Sequence, residues 1–243
     1  MIGYLRLEVA RSLRDARFLI LALVAPVGFY LLFAGLFGGG SAGTISVAEA
    51  LMVSLSVYGI MFAVTLATGP RIAQDRGIGW QRQLRLLPVA PRSVLLARLL
   101  AAVALALPAL ALVLLTAVLT HGIHLDAGKW IALVVVLWVT SVPFAVLGVA
   151  IGYATGSEAA FGVLYALSVV LSALGGLWMP ITLFPTGLQV AGKLLPTYRA
   201  ADLGLHIVAG KGLDFSDILL LVAWTIVFCL LALFFSARMP QSR

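Results

Sequence analysis

The chain has 243 residues, of which 63% are hydrophobic and 10% are charged. A soluble globular protein carries about 25% charged residues, so the composition excludes a free-standing soluble enzyme and predicts an integral membrane protein. The net charge of +7 would suggest nucleic acid in a soluble chain, but here the charges lie in a few short stretches. That distribution predicts membrane orientation and contact with lipid headgroups, and no nucleic-acid binding.

Residues 1–17 are predicted to form an amphipathic helix on the inner membrane surface. Apolar residues lie on one helical stripe and basic residues on another: Leu5, Val9, Leu13 and Ala16, against Arg6, Arg14 and Arg17. This division is typical of interfacial helices. A cleaved signal peptide is the alternative, because basic residues precede an apolar run. The basic region and the apolar run are both long for a signal.

Six apolar stretches have the length of about 20 residues that a helix needs to cross the hydrocarbon core. They cover residues 18–37, 47–69, 94–119, 130–153, 159–177 and 218–235. The predicted fold is therefore all-α, a bundle of six transmembrane helices forming one membrane domain over residues 1–243.

The connection between the fifth and sixth stretches, residues 178–217, is apolar but is interrupted by Pro180, Pro185 and Pro196. Its apolar run over 188–195 is too short to span a bilayer. Irregular backbone at membrane depth must pack against protein. We therefore expect a re-entrant pair of short half-helices on the extracellular side.

Basic residues are distributed unequally between the two sides of this bundle. Twelve of the sixteen Lys and Arg residues lie at the N-terminus, around the second connection or at the C-terminus. The positive-inside rule then places both termini in the cytoplasm, which requires an even number of crossings and agrees with six. Arginine outnumbers lysine thirteen to three, which indicates a GC-rich bacterial genome and hence a bacterial inner membrane.

Several signals of other functions are missing from the sequence. No ionisable residue lies in the middle of a predicted span, which argues against a proton-driven carrier. No Gly-Lys pair is followed by Ser or Thr, so we expect no phosphate-binding loop and no unaided ATP hydrolysis. We also expect no catalytic residues and no cofactor in this chain.

Candidate metal ligands are few, and we predict no metal site. His121 and His124 are three residues apart with Asp126 close by, but a solvated outer loop is the favoured interpretation. The single cysteine, Cys229, cannot form a disulfide or a thiolate metal site within the chain. Because it lies in an apolar run, we interpret it as a small buried hydrophobic residue.

The second connection is unusual because it is both cationic and apolar. Residues 71–96 read RIAQDRGIGWQRQLRLLPVAPRSVLL, with Trp80, Leu84, Leu86 and Leu87 among the arginines. A solvated loop has no need of these apolar side chains. The segment either lies on anionic headgroups or docks its apolar face into a groove on a partner.

This segment resembles the first cytoplasmic loop of type-2 ABC-transporter permeases. The matching residues are Asp75-Arg76, Gly77, the run from Trp80 to Leu87, Pro88 and Pro91-Arg92. A second match, to the family's segment between spans five and six, comprises Gly175-Gly176, Pro180, Pro185, Leu188, Leu195-Pro196-Thr197 and Arg199. The six-span layout with an amphipathic N-terminal helix is similar as well. The short loop between spans four and five, with Glu158 as its only charge, departs from the pattern.

The resemblance implies a coupling role for the loop over residues 71–92. Its coupling residues would be Asp75, Arg76, Gly77, Trp80, Arg82, Leu84 and Leu87. Two separate ATP-binding cassette subunits would dock there, carrying the ATP and Mg²⁺. A second permease copy, in a homodimer, would complete a central path.

A stripe of polar residues follows one face of the second span: Ser54, Tyr58, Met61, Thr65 and Thr68. In the fifth span, Tyr165, Ser168 and Ser172 repeat the pattern. These residues either line a translocation path or supply interhelical packing with modest hydrogen bonds. Gly148, Gly152 and Gly156 have the small-xxx-small spacing of close helix contact, and Pro26, Pro108 and Pro143 are expected to kink their helices.

Two functions remain open at this point. The first is an ABC exporter permease for an amphipathic, drug-like or lipid-like molecule, since an aromatic and aliphatic lining with scattered hydroxyls suits such a substrate. Membrane lipids would be further partners. The second is a membrane-embedded scaffold or enzyme with no ATPase partner, in which Trp80 and Leu84 contact lipid or the protein's own core.

Overall fold

The computed structural model describes residues 10–12, 14–78 and 91–238. Most of the predicted interfacial helix over 1–17, and all of the segment 79–90, therefore fall outside the described residues. The elements in chain order are α1 (Ala16–Phe18), a π-helical stretch (Leu19–Val24), α2 (Ala25–Phe37), β1 (Ser41–Ala42), β2 (Ile45–Ser46), α3 (Val47–Gly77), α4 (Pro91–His121), α5 (Ala127–Val139), α6 (Ser141–Ala154), α7 (Ala159–Leu174), a 3₁₀ turn (Ile181–Leu183), α8 (Thr186–Leu194), α9 (Pro196–Val208) and α10 (Phe215–Ala237).

The apolar helices confirm a multi-pass membrane protein. Within residues 10–12, 14–78 and 91–238, five helical segments are long and apolar enough to cross a membrane: Leu19–Phe37, Val47–Gly77, Ser93–His121, Ala127–Ala154 and Phe215–Ala237. They coincide with five of the six predicted stretches. The remaining stretch, 159–177, corresponds to α7, which is helical over 16 residues and is shorter than the others.

Helix α3 is the centre of the bundle and contacts α2, α4, α6, α7 and α9. Of its most apolar 18-residue window, 83% is buried, against 22% for Leu19–Phe37 and 17% for α10. The helix begins with a reciprocal capping box, in which the Ser46 hydroxyl accepts from the Glu49 amide and the Glu49 carboxylate accepts from the Ser46 amide. Such a cap satisfies backbone groups that a helix start leaves unpaired.

Small residues allow α6 to pack directly against α3. A Cβ at Gly148 would lie 2.0 Å from the Thr68 hydroxyl, and one at Gly152 would lie 2.6 Å from the Gly69 carbonyl oxygen. The predicted close helix contact is confirmed for these two glycines. A Cβ at Gly156 would meet no neighbouring atom within 4 Å, so the third member of the repeat was wrongly included.

Prolines affect the helices unequally. The fourth predicted span is divided at Thr140 into α5 and α6, three residues before Pro143, because proline cannot donate to the preceding turn. Pro26 follows directly on the π-helical stretch Leu19–Val24. Pro108 lies within the unbroken α4.

The connection before α10 folds as the predicted pair of short helices, α8 and α9. The Thr197 hydroxyl donates to the Leu171 carbonyl at 2.8 Å, and the Trp224 indole donates to the Leu194 carbonyl at 2.8 Å. Helix α9 is packed against α3, α5 and α10. The depth of this pair in the bilayer stays a prediction.

The interpretation of Cys229 as a buried residue is wrong. The residue is exposed on α10, whose other outward side chains include Ile226, Leu230 and Leu233. In a membrane protein an apolar run covers the lipid-facing side of a helix as well as its packed side, so hydrophobicity alone does not identify the buried face.

Candidate functional site

The second connection leaves and re-enters the bundle at a buried ion pair. At the end of α3, Asp75 accepts a hydrogen bond from Arg98 of α4 at 2.5 Å. Both side chains are buried, with exposed fractions of 7% and 8%. Arg11 lies 4.0 Å from the same carboxylate and is half exposed. We call this the arginine-rich end of the bundle.

Arg76 joins the same end of α3 to the last turn of α6. Its Nη1 donates to the carbonyls of Gly152 and Tyr153 at 2.8 Å each, and to that of Thr155 at 3.2 Å. Carbonyls at the end of a helix have no partner within the helix and carry partial negative charge. A guanidinium therefore both satisfies them and fixes α3 to α6.

The short connection between α6 and α7 also lies beside the end of α3. A Cβ on Gly77 would be 3.4 Å from the Ser157 hydroxyl, so Gly77 is in contact distance of this loop. Of the predicted coupling residues, the structure thus brings Asp75, Arg76 and Gly77 together with α4, α6 and the following loop. Trp80, Arg82, Leu84 and Leu87 lie outside the described residues.

The polar stripe of α3 is buried within the single chain. Ser54, Tyr58, Met61, Thr65 and Thr68 have exposed fractions of 9%, 3%, 0%, 1% and 0%. The hydroxyls of Thr65 and Thr68 each donate to the carbonyl four residues earlier, at 2.7 and 2.8 Å. Helical Thr side chains often satisfy themselves in this way, and Thr68 also packs against Gly148 of α6.

On α7 the predicted path residues face in two directions. Tyr165 is 42% exposed, whereas Ser168 and Ser172 are buried at 2% and 0%. The Ser172 hydroxyl donates to the Ser168 carbonyl at 2.7 Å. Tyr165 is therefore the member of the α7 set with a free surface on the isolated chain.

An aromatic row connects Tyr165 to the broken segment before α8. The ring centroids of Tyr165 and Phe62 are 6.0 Å apart, those of Phe62 and Tyr58 are 4.7 Å apart, and those of Tyr58 and Trp178 are 5.8 Å apart. Phe29 of α2 contacts both Tyr58 and Trp178. Sequence reasoning missed Phe62, although it lies four residues after Tyr58, and it missed Trp178 because no periodic pattern covers that segment.

A second buried charge cluster lies at the opposite end of the bundle, between α9 and α10. Arg199 donates to Asp217 at 2.6 Å, and Asp217 has no exposed surface. Asp202 and His206 lie beside this pair, and one ligand atom from each of Asp202, His206 and Asp217 falls within 4.8 Å of the others. This is the one group of three or more potential metal-ligating side chains within residues 10–12, 14–78 and 91–238.

Burial affects the ionisation of Asp202 in this cluster. Desolvation, followed by the nearby Asp217 carboxylate, raises the pKa of Asp202 above its ordinary value. The exposed Asp214 behaves oppositely, because hydrogen bonds from Ser216 lower its pKa.

His121, one of the histidines singled out in the sequence, lies outside this cluster. It hydrogen-bonds to Tyr30 at 3.2 Å and to Thr120 at 2.8 Å.

Comparison with known proteins agrees with this architecture. Residues 4–208 match the family model described as ABC-2 type transporter. The chain is also similar to the Bacillus subtilis (strain 168) protein named "Putative transport permease YvfS", with 27% identity over 227 residues, covering 93% of this chain and 92% of that protein. The family match spans α1 to α9 and the arginine-rich end, so the chain is a membrane transport permease and belongs to the ABC-2 type transporter family.

Proposed function

We propose that this chain is the membrane-spanning subunit of an ATP-driven exporter that moves an amphipathic, drug-like or lipid-like molecule out of a bacterial cell. ATP hydrolysis occurs on two separate ATP-binding cassette subunits. A second copy of the chain completes the path as a homodimer. Family membership supports the permease role, and the remaining points rest on the geometry below.

The proposal depends above all on the way in which the arginine-rich end joins three helices. Asp75 binds Arg98 of α4, and Arg76 binds the last turn of α6. The connection between α3, which ends at Gly77, and α4, which begins at Pro91, lies between Asp75 and Arg98 in the sequence. A force applied to that connection would move α3, α4 and α6 together, because buried charge-assisted hydrogen bonds resist separation. Such rigid attachment is what a docking segment for an ATPase requires.

We place the docking surface on Trp80, Arg82, Leu84 and Leu87, supported by their composition and their position between the two attachment points. Apolar side chains interleaved with arginine suit a groove on a partner subunit. Asp75, Arg76 and Gly77 then act as the attachment to the bundle.

We place the translocation path along the α3 and α7 faces that hold Tyr165 and the aromatic row. Tyr165 supplies exposed aromatic surface for an apolar group of the substrate. Its hydroxyl offers a polar contact. The buried set, namely Ser54, Tyr58, Met61, Thr65, Ser168 and Ser172, becomes accessible when α7 or α2 moves away from α3. A path that opens by helix separation suits alternating access by rocking of packed helices.

Membrane topology in this proposal has six crossings with both termini in the cytoplasm. Helix α7 supplies the one crossing that the five longer helices leave out, and its length is about 24 Å at 1.5 Å per residue. The hydrocarbon core is about 30 Å thick, so a helix of this length crosses where the bilayer is locally thinned. The arginine-rich end then faces the cytoplasm, as the positive-inside rule requires.

The test is co-purification of the chain with the ATP-binding subunit encoded beside it, followed by measurement of ATPase activity. The variant combines Trp80→Ala with Leu84→Asp. Its matched control is Leu183→Asp, which places a carboxylate on an exposed leucine in the connection before α8. We expect the variant to lose assembly or substrate-stimulated ATPase activity and the control to retain both.

Equal assembly and activity in the variant and the parent would contradict the docking assignment. If no ATP-binding subunit co-purifies under gentle extraction, the alternative of a membrane-embedded scaffold or enzyme replaces the exporter.

A further inference from the structure

The side chains that converge between α9 and α10 suggest a site that lies apart from the proposed path and coupling segment. Asp202 and His206 are four residues apart on α9. Residues with this spacing lie on the same face of a helix. Asp217 enters from the first turn of α10. We propose that Asp202, His206 and Asp217 bind a divalent transition-metal ion of the Zn²⁺ class, which ties α9 to α10.

The ligand set fits such an ion. One imidazole and two carboxylates are ordinary zinc ligands, with bonds of about 2.0–2.2 Å that place tetrahedral ligand atoms roughly 3.5 Å apart. The three ligand atoms here lie within 4.8 Å of one another. Side-chain rotations that move these atoms by about 1 Å would therefore bring them to coordination distance. An i, i+4 pair on one helix is a common way to present two ligands to one metal ion.

Three buried atoms in the cluster have no hydrogen-bond partner in the part of the chain that the structure describes: Oδ2 of Asp217, Nδ1 of His206 and Nε of Arg199. Asp217 is completely buried, and Arg199 occupies its Oδ1, but its Oδ2 is unpaired. Nδ1 of His206 is buried and unpaired as well. Buried polar atoms are normally satisfied, so the unpaired Oδ2 of Asp217 and Nδ1 of His206 indicate a missing partner beside the Asp202 carboxylate. A cation that binds both would satisfy them.

The local charge also favours a cation. Two carboxylates, Asp202 and Asp217, share one guanidinium, that of Arg199. A divalent ion would balance the second carboxylate and leave the Arg199 pair intact, since that pair uses the other oxygen of Asp217. The competing arrangement is a metal-free network of Asp202, His206 and the Arg199–Asp217 pair.

The inference does not depend on the exporter function, because it concerns only the attachment of the short helix pair to the last span. Whether the chain is an exporter subunit or a scaffold, the expected role of the ion is structural. With α9 packed against α3, α5 and α10, an ion at this place would restrain the broken segment at the end of the bundle opposite to the arginine-rich end.

The experiment uses the full chain, purified in detergent with a tag that contains no histidine and stripped of metal with a chelator. Zinc content is measured after dialysis against Zn²⁺, and Co²⁺ is used as a spectroscopic probe of coordination. We expect one zinc per chain, visible Co²⁺ absorption bands of a low-coordinate site, and a higher thermal midpoint with Zn²⁺.

The variants are His206→Ala and Asp202→Asn, which leave the Arg199–Asp217 pair in place and should fold. The matched control is His124→Ala combined with Asp126→Asn, which removes the same residue types from the exposed loop before α5. Each test variant should weaken zinc affinity at least about ten-fold and abolish the thermal shift, whereas the control should change neither.

Absence of stoichiometric zinc in the parent protein would overturn the proposal. The same conclusion follows if the control loses the metal while His206→Ala keeps it, because zinc would then bind the exposed loop. A thermal midpoint that falls equally in all variants, with unchanged zinc content, would assign the cluster to the metal-free network.

Discussion

Asp75 and Arg98 are separated by 23 residues in sequence and meet in a buried hydrogen-bonded ion pair at 2.5 Å. The pair closes the connection between α3 and α4 at its base. A loop tied in this way is attached to the bundle at both of its ends, whatever contacts its middle makes. This attachment, the packing of α3 against α6 and the aromatic row can each be tested by substitution.

Removal of one partner from the buried pair should destabilise the protein strongly. Asp75→Leu removes one partner of a buried ion pair, and such a change costs about 3–5 kcal/mol. The double variant Asp75→Leu with Arg98→Met should recover much of that stability. Thermal unfolding in detergent, with Arg11→Ala as the control, measures the difference. Arg11 is half exposed and 4.0 Å from the carboxylate, so its removal should cost at most about 1 kcal/mol. Equal loss in the single and double variants would contradict the assignment.

Arg76→Met should weaken the attachment of α3 to α6. The change removes three hydrogen bonds from a charged donor to the end of α6, and a single such bond contributes about 1.5–3 kcal/mol. We expect a lower thermal midpoint and, in the assembled complex, ATPase activity that no longer responds to substrate. Arg238→Met is the matched control, because Arg238 is exposed near the end of α10 and stacks on Phe234. The prediction fails if both variants retain stimulated ATPase activity.

Gly152→Ala should destabilise the bundle, whereas Gly35→Ala should not. A methyl group at Gly152 would collide with the backbone of Gly69 at 2.6 Å, and overpacking of this kind costs about 1–3 kcal/mol. Gly35 of α2 has open space around it, so alanine there gains helix propensity of up to about 1 kcal/mol. Thermal midpoints of the two variants in the same detergent provide the comparison. A midpoint for Gly152→Ala at or above that of Gly35→Ala would refute the close contact.

Tyr165→Ala should reduce transport more than Tyr165→Phe. The ring contacts Phe62 and Phe161, and aromatic pairs contribute about 0.5–1.5 kcal/mol beyond burial, which corresponds to roughly a 2- to 10-fold effect on substrate binding. Uptake of a fluorescent amphiphile by inverted vesicles measures the change. The control is Phe215→Ala, which removes an aromatic ring that is 74% exposed at the start of α10. Equal uptake by Tyr165→Ala and the parent would remove Tyr165 from the path.

Much of the fold could be predicted because it depends on local sequence. An apolar stretch of membrane length has few alternatives to a helix, since backbone groups in lipid must pair within their own segment. The stretches 47–69 and 94–119 therefore became α3 and α4, and the prolines between 178 and 217 predicted the division into α8 and α9. The shorter α7 shows the limit of this reasoning, because its end depends on the turn at Gly175 and Gly176.

The candidate site was less predictable, since its contacts join distant parts of the chain. The small-residue spacing on α6 pointed to Gly148 and Gly152, but it could not identify α3 as the partner helix. The polar stripe from Ser54 to Thr68 allowed two interpretations, a translocation path and interhelical packing. They differ in whether a substrate or another helix lies opposite the stripe. In the single chain the structure places α6 against Thr65 and Thr68.

The sequence by itself determined that this protein is a membrane-embedded helical bundle with a basic, apolar connection after its second span, because hydrophobic length and charge distribution are local properties. Only the tertiary structure decided that Arg76 meets the carbonyls of Gly152 and Tyr153, and that Asp217 lies beside Asp202 and His206. The physical reason is that a buried polar group takes whichever partner the packing of helices brings to it. In this chain those partners come from different helices.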